Sequence, residues 1–299
     1  MDILEAPVDP RPLPRTPLEI SPITLGTSPL DDPALARALL TGPYAAVDTS
    51  NAYAGGRSES ALGAAIAELD AHRTVITKTD AEPGTGRFDR DRVLASFEES
   101  LTRLGLDRIP LLHLHDPYSI TVEEAFGPGG AVAGMRELKE QGLVDAIGIA
   151  AGTNSLMMSY VTSGAFDAVL SHNRYTLVDR SALPLFEAAA ERGMAIFNAA
   201  PFGGALLAGR GTSYAYREST PELLDWVGRV EALCRQHGIT LPAAALHFSL
   251  RNPLIDSTVV GVGSAERIEQ LERLRTTSVP EDFWSALEGL GPAPTTITD

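Results

Sequence analysis

The sequence predicts a (β/α)8 barrel, an α/β fold, and three observations predict it. Short runs of branched apolar residues alternate with longer amphipathic stretches along the chain. The alternation repeats eight times without a composition break, the count that such a barrel needs. The GxGxxG turn that a doubly wound dinucleotide fold places after its first strand is missing. The 299 residues therefore read as a Pro-rich arm over 1–22 and a single barrel domain over 23–299.

The arm carries six prolines between Pro7 and Pro22, so it is predicted to be extended, without a periodic helix. It lacks a basic segment followed by an apolar core, which argues against a secretory signal, and no apolar run reaches membrane-spanning length. Eight strands are then predicted in order. They are ITLGTS from Ile23, AAVDTS from Ala45, TVITKT from Thr74 and IPLLHLHD from Ile109. VDAIGIAA from Val144, FDAVLSHN from Phe166, MAIFNAAP from Met194 and IDSTVVGV from Ile255 follow. Each is too short for a helix and rich enough in branched residues to be a buried strand. Between them, Val93, Phe97, Leu101 and Leu104 form one helical stripe, and Leu223, Val227, Val230 and Leu233 another. Gly142 and Gly193 follow charged residues where helices should end.

Composition narrows the function classes. Asp and Glu outnumber Lys and Arg by 39 to 24, a formal charge of -15, which repels phosphate backbones and anionic headgroups. Neither a nucleic acid nor a membrane is expected as a partner; the expectation is a cytoplasmic enzyme acting on a small molecule. The one cysteine, Cys234, can form neither an internal disulfide nor a Cys-based zinc site.

A barrel of this kind carries its chemistry at the C-terminal ends of its strands. Asp48 closes the second strand, Tyr53 lies in the next loop, Lys78 closes the third, and His113 and His115 belong to the fourth. A phenol near pKa 10 is a poor acid or base at neutral pH; a neighbouring ammonium lowers that value, and a carboxylate holds the ammonium in place. An imidazole can orient the reacting oxygen. Taken singly, each residue is more often structural: Asp48 can cap a turn, and a lone Tyr is usually an amphipathic surface residue. Together, on successive strand ends, they read as a proton-transfer device. His113-Leu114-His115 also fits a metal-dependent hydrolase, since period-two spacing puts both rings on one strand face. Such a site needs more histidines than remain: His72 precedes a strand, and His237 and His247 fall in helical stretches. His115, nearer the strand end, is expected at the mouth, with His113 a hydrogen-bonded core residue one layer deeper. After the last strand, Ser264 reads as an N-cap with Arg267 three residues on, an arrangement that suits a phosphate.

These residues resemble the aldo-keto reductases from about Ile23 to about Leu274. The motifs are DTSNAYAGGRSESALG (48–63), VITK (75–78), LHDP (114–117), IGIA (147–150), NAAPFGGALLAG (198–209) and VVGVGSAERIEQ (259–270). The resemblance implies a catalytic tetrad of Asp48, Tyr53, Lys78 and His115. It also implies NAD or NADP extended across the barrel mouth, touched by His172, Asn173, Phe202, Gly203, Gly261, Gly263, Ser264, Arg267 and Gln270, with no metal. HNRYTLVD (172–179) points to the bacterial aldose 1-dehydrogenase branch, which oxidises sugars such as L-fucose and D-arabinose at C1 to the lactone. Pyridoxal dehydrogenases and general aldehyde reductases are similar too. Three positions depart from the family pattern. Ala199 stands where a tyrosine often stacks on nicotinamide, with Phe202 three residues on as a partial substitute. His172 replaces a glutamine. Gly261 and Gly263 stand where basic residues often meet the 2′-phosphate of NADP. With Arg267 as the one remaining cation, the expectation leans to NAD. Substrate choice is expected from the loops Ser28 to Pro33, Pro117 to Gly130 and Gly209 to Thr220, whose Tyr118, Phe126, Tyr214 and Tyr216 can stack on a ring or close a loop. A cofactor-sensing binding protein on the same fold is the remaining reading, weakened by the intact tetrad.

Overall fold

Each of the eight apolar runs forms a parallel strand, and the eight close on themselves. The structure, a computed structural model, describes residues 8–69, 73–294, 297 and 299; His72 lies outside the described residues. The barrel strands are β3 (Ile23–Gly26), β4 (Ala46–Asp48), β5 (Thr74–Thr79), β6 (Ile109–His115), β7 (Val144–Ala151), β8 (Ala168–His172), β9 (Ala195–Ala199) and β12 (Ser257–Gly261). They are preceded by β1 (Arg11–Pro12) and β2 (Glu19–Ile20), and interrupted by β10 (Ser213–Tyr214) and β11 (Arg217–Glu218). Closure comes from β12, which pairs in parallel with both β9 and β3.

The helices are α1 (Pro33–Thr41), α2 (Arg57–Leu69), α3 (Arg90–Leu104), α4 (Val122–Phe126), α5 (Ala131–Glu140), α6 (Asn154–Thr162), α7 (Leu183–Ala190), α8 (Pro221–Gln236), α9 (Leu241–Leu250), α10 (Ala265–Arg275) and α11 (Glu281–Glu288). The stripe predicted around Phe97 is the buried face of α3, apart from the half-buried Leu101. The helix predicted from Leu223 is α8, which comes in addition to the barrel helix α9 before the last strand.

Two apolar layers result. The outward strand faces pack under the helices, while Ala46, Ile76, Leu111, Ala168, Ala195 and Phe197 fill the barrel interior. Alanines alternate with larger residues inside because eight converging rows of side chains share one narrow axis. Leu13 and Ile20, from the Pro-rich arm, join that inner layer. The arm is therefore an antiparallel hairpin, not a plain extended tail. Arg11 donates to the Ile255 carbonyl (3.1 Å) and Arg15 to the Arg192 carbonyl (3.0 Å), both just ahead of strand starts. The hairpin thus seals the N-terminal floor and leaves the opposite end open. No helix among the described residues is long and apolar enough to cross a membrane.

Candidate active site

Three strand ends and the 3-10 turn after β4 bring the predicted tetrad into one cavity of about 550 Å³ at the C-terminal end of the barrel. Asp48 is the last residue of β4 and Lys78 the penultimate one of β5; His115 ends β6. Lys78 is 1% exposed, so its ammonium must be satisfied internally. It donates to Asp48 Oδ1 at 2.6 Å and to the Thr49 carbonyl at 2.5 Å, and it lies 4.7 Å from the Tyr53 ring centroid. The edge of the Tyr53 ring meets His115 with centroids 5.8 Å apart.

Burial sets the electrostatics of this group. It penalises charge on Lys78, yet Asp48 and Tyr53 together more than offset that and raise the lysine above its ordinary pKa. Burial likewise pushes Asp48 up, with Lys78 opposing. Tyr53 is the correction. Lys78 does pull the phenol down, as expected, but burial outweighs it and the pKa stands above the ordinary value. The phenol therefore carries its proton at neutral pH.

His115 is held by groups that the sequence reading gave no role. Its Nδ1 lies 2.7 Å from Asp80 Oδ1. Asp80 Oδ2 accepts from the Ser50 hydroxyl at 2.5 Å and from the Ala52 N–H at 3.0 Å. Asp80 sits two residues beyond Lys78, one past the end of β5, where period-two spacing carries it toward the same side, a signal that was available. Asp116, next to His115, adopts φ 42°, and its Oδ1 is buried without a partner at the cavity wall. His113 is deeper, as expected, but both its ring nitrogens lack hydrogen-bond partners; burial pushes its pKa well down, keeping the ring neutral. Among the described residues no three His, Cys, Asp or Glu side chains cluster around a metal position.

The expected cofactor residues divide. Gly261 lines both the tetrad cavity and a second one of about 340 Å³, where Phe202, Arg267 and Gln270 also lie. His172 and Ala199 line the tetrad cavity. Asn173 faces a smaller neighbouring cavity that shares His172 and Tyr216 with the first. Gly203 lines none of these cavities. A Cβ there would fall 2.0 Å from the Tyr214 ring, so the glycine serves packing of the buried Tyr214. Ser264 occupies the N-cap of α10, but its side chain makes no capping bond. Gly263 lies beside it with open space around a would-be Cβ. The expectation that Arg267 stands alone is also corrected. Arg210 and Arg273 line the same 340 Å³ cavity, Arg210 close enough to Arg267 for the two charges to disfavour one another, and no carboxylate lines it. Of the loop aromatics, Phe126 packs into the core against Tyr160, and Tyr118 and Tyr216 remain exposed, Tyr216 against the tetrad cavity.

The arrangement suits a dinucleotide. Gly261 lines two cavities, one cationic and free of carboxylates, the other bearing the proton-transfer group. The Aldo/keto reductase family profile matches residues 28–291. The D-threo-aldose 1-dehydrogenase of a Pseudomonas species is 34% identical over 205 residues, covering 67% of this chain and 62% of that enzyme. The pyridoxal 4-dehydrogenase of Microbacterium luteolum is 27% identical, covering 94% of this chain and 97% of that one. An aldo-keto reductase of Bacillus halodurans, solved in its holo form, superposes with a TM-score of 0.76 over 95% of this chain and 96% of its own, at 20% identity.

Proposed function

Since the chain belongs to the aldo/keto reductase family of NAD(P)-dependent oxidoreductases, we propose that it transfers hydride between the nicotinamide and C1 of an aldose, giving the lactone. The observation that carries this reading is the buried Lys78–Asp48 pair beside Tyr53 and His115 in one cavity, which shares Gly261 with a neighbouring cationic one. The dinucleotide, when bound, supplies the hydride acceptor or donor. Arg210 and Arg267 would hold its phosphate end, and His172 and Ala199 would face the ring.

Tyr53 places its phenol at the substrate oxygen. In reduction it gives that oxygen a proton, for which a raised pKa is no obstacle. In oxidation it takes the hydroxyl proton, and Lys78 lowers the cost of the phenolate that accepts it. Asp48 keeps Lys78 charged and aimed. The aldose reading is supported by the likeness to the Pseudomonas enzyme and by the polar cavity wall, to which Asp116 and His172 contribute. A pyridoxal-type aldehyde is the second reading. It is favoured by the full-length likeness to the Microbacterium enzyme and by Tyr216, whose exposed ring suits a flat pyridine.

On cofactor choice, the lean to NAD rested on a single cation. With Arg210 beside Arg267, we propose that NADP is accepted alongside NAD. Screening purified protein against aldoses, pyridoxal and simple aldehydes with both dinucleotides, in both directions, tests the whole reading. Aldose-dependent reduction of the cofactor is expected, and activity confined to pyridoxal would promote the second reading.

A further inference from the structure

We infer that Arg103 is a positioning residue for Tyr53: its guanidinium clamps the turn that carries the phenol onto the strand that carries Lys78. The inference rests on the proposed oxidoreductase reading, in which that phenol handles the substrate proton.

α3 buries more than its apolar stripe. Arg92, Ser96, Glu99, Ser100 and Arg103 recur at three- and four-residue spacing and so share a second face of the helix. Of these, Arg92, Ser96 and Ser100 are buried. A polar face turned inward must find partners, and it finds them on the segment just ahead of Tyr53. Asn51 Nδ2 donates to the Ser96 carbonyl and to Glu99 Oε2, both at 3.0 Å, while Asn51 Oδ1 accepts from Arg92 at 3.3 Å. Arg103 Nη1 donates to the Asn51 carbonyl at 3.0 Å and to Oε2 of the fully buried Glu59 at 3.1 Å. The other Glu59 oxygen accepts at 2.6 Å from the hydroxyl of Thr77, the residue before Lys78.

The turn needs this outside hold. Ala54, Gly55 and Gly56 all lie in the left-handed region, with φ 53°, 65° and 87°, and the alanine has a Cβ that disfavours it. Bonds within the turn, such as the Gly55 N–H to the Ala52 carbonyl, set its shape and not its place. Its place comes from bonds to neighbouring elements, among them the Asn51 N–H to the Lys78 carbonyl (3.2 Å), the Ala52 N–H to Asp80, and Arg103 to the Asn51 carbonyl. Gly56 makes room for the guanidinium, since a Cβ there would fall 2.6 Å from its carbon. Without Arg103, the Asn51 carbonyl and a Glu59 oxygen each lose a donor, the first of them two residues before Tyr53.

Kinetics and NMR together test this. Arg103→Gln should lower kcat about 10–100-fold, the scale of a misplaced reacting group, while dinucleotide affinity holds, because the cationic cavity lies elsewhere on the mouth. Arg103→Lys, whose charge sits on a shorter side chain, should fall between. With Tyr53→Phe already in place, Arg103→Gln should cost nothing further, because no phenol is left to misplace. A residue that supported the whole site would lower that residual rate too. The Tyr53 and His115 rings meet edge-on with centroids 5.8 Å apart, so a nuclear Overhauser contact between them should be present in the cofactor-free wild type and weakened in Arg103→Gln. Tyr53→Phe identifies the tyrosine signals. Whichever variant folds, wild-type kcat with the ring contact intact overturns the inference, as does a loss of dinucleotide affinity that matches the loss in rate. A protein that turns over no aldose, pyridoxal or simple aldehyde defeats the functional reading, while the ring contact still decides whether Arg103 sets the place of Tyr53.

Discussion

Lys78 Nζ stands 4.7 Å from the centre of the Tyr53 ring while two of its hydrogens go to Asp48 and the Thr49 carbonyl. The lysine acts on the phenol as a fixed charge, held by a partner that is itself buried. Its pull opposes a larger burial effect, so the phenol ends above its ordinary pKa but lower than it would be without the lysine. This balance makes Tyr53 a proton donor at rest.

Tyr53→Phe should therefore bind the dinucleotide as tightly as the wild type and lose most turnover, by about 10²–10⁴-fold, the contribution typical of a general acid or base. Cofactor titration by fluorescence alongside steady-state rates checks both halves. Near-normal rates on every active substrate would remove Tyr53 from the chemistry.

Lys78→Met should move the pH profile in a stated direction. Carbonyl reduction needs the protonated phenol, so its basic limb lies above the ordinary tyrosine pKa of about 10. Without the lysine that limb moves further up, and oxidation, which needs the phenolate, requires still more alkaline solution. Asp48→Asn should be milder, because it loosens the lysine without deleting the charge. A Lys78→Met limb that stays in place would show that the lysine does not tune Tyr53.

Strand ends were the legible part of this site. Asp48, Lys78 and His115 each close an apolar run, and a barrel makes such positions neighbours whatever their separation in sequence. Asp80 and Asp116 were equally near in sequence, but a carboxylate next to a loop is ordinary, and only the folded chain shows that one meets an imidazole and the other a cavity. Arg210 was harder still, since it lies in the long β9–α8 connection and reaches Arg267 only through tertiary packing. The floor hairpin escaped for a different reason. Proline spacing announces extended backbone, but the burial of Leu13 and Ile20 depends on a barrel interior that the arm cannot encode alone.

That interior position makes Ile20→Ala a test of the floor. Ile20 is fully buried among the inner-layer residues, so truncation should cost about 2–5 kcal/mol of unfolding free energy. Because the site lies at the other end of the strands, KM and kcat at low temperature should hold. Denaturant unfolding with parallel assays separates the two, and a loss below about 0.5 kcal/mol, within the range of surface substitutions, would mean that the hairpin only rests on the barrel.

Cofactor choice turns on the cationic cavity. Arg210 and Arg267 face it without a lining carboxylate, together with the exposed Arg273 that pairs with Glu269, in a chain of formal charge -15 that offers no background attraction to a dianion. Charge-assisted hydrogen bonds contribute roughly 1.5–3 kcal/mol each, and 1.4 kcal/mol is about tenfold. With both guanidiniums present, NADP should reach a kcat/KM within about tenfold of that for NAD. Arg210→Ala should cost NADP about tenfold or more and leave NAD nearly unchanged, since the 2′-phosphate is what distinguishes them. Gly263→Arg should shift preference the other way. A Cβ at Gly263 meets nothing within 4 Å, and its backbone is not in the left-handed region, so the loop can carry the side chain. Equal losses for both dinucleotides in Arg210→Ala would assign that guanidinium to the shared pyrophosphate, and the preference would then rest on Arg267 and Arg273.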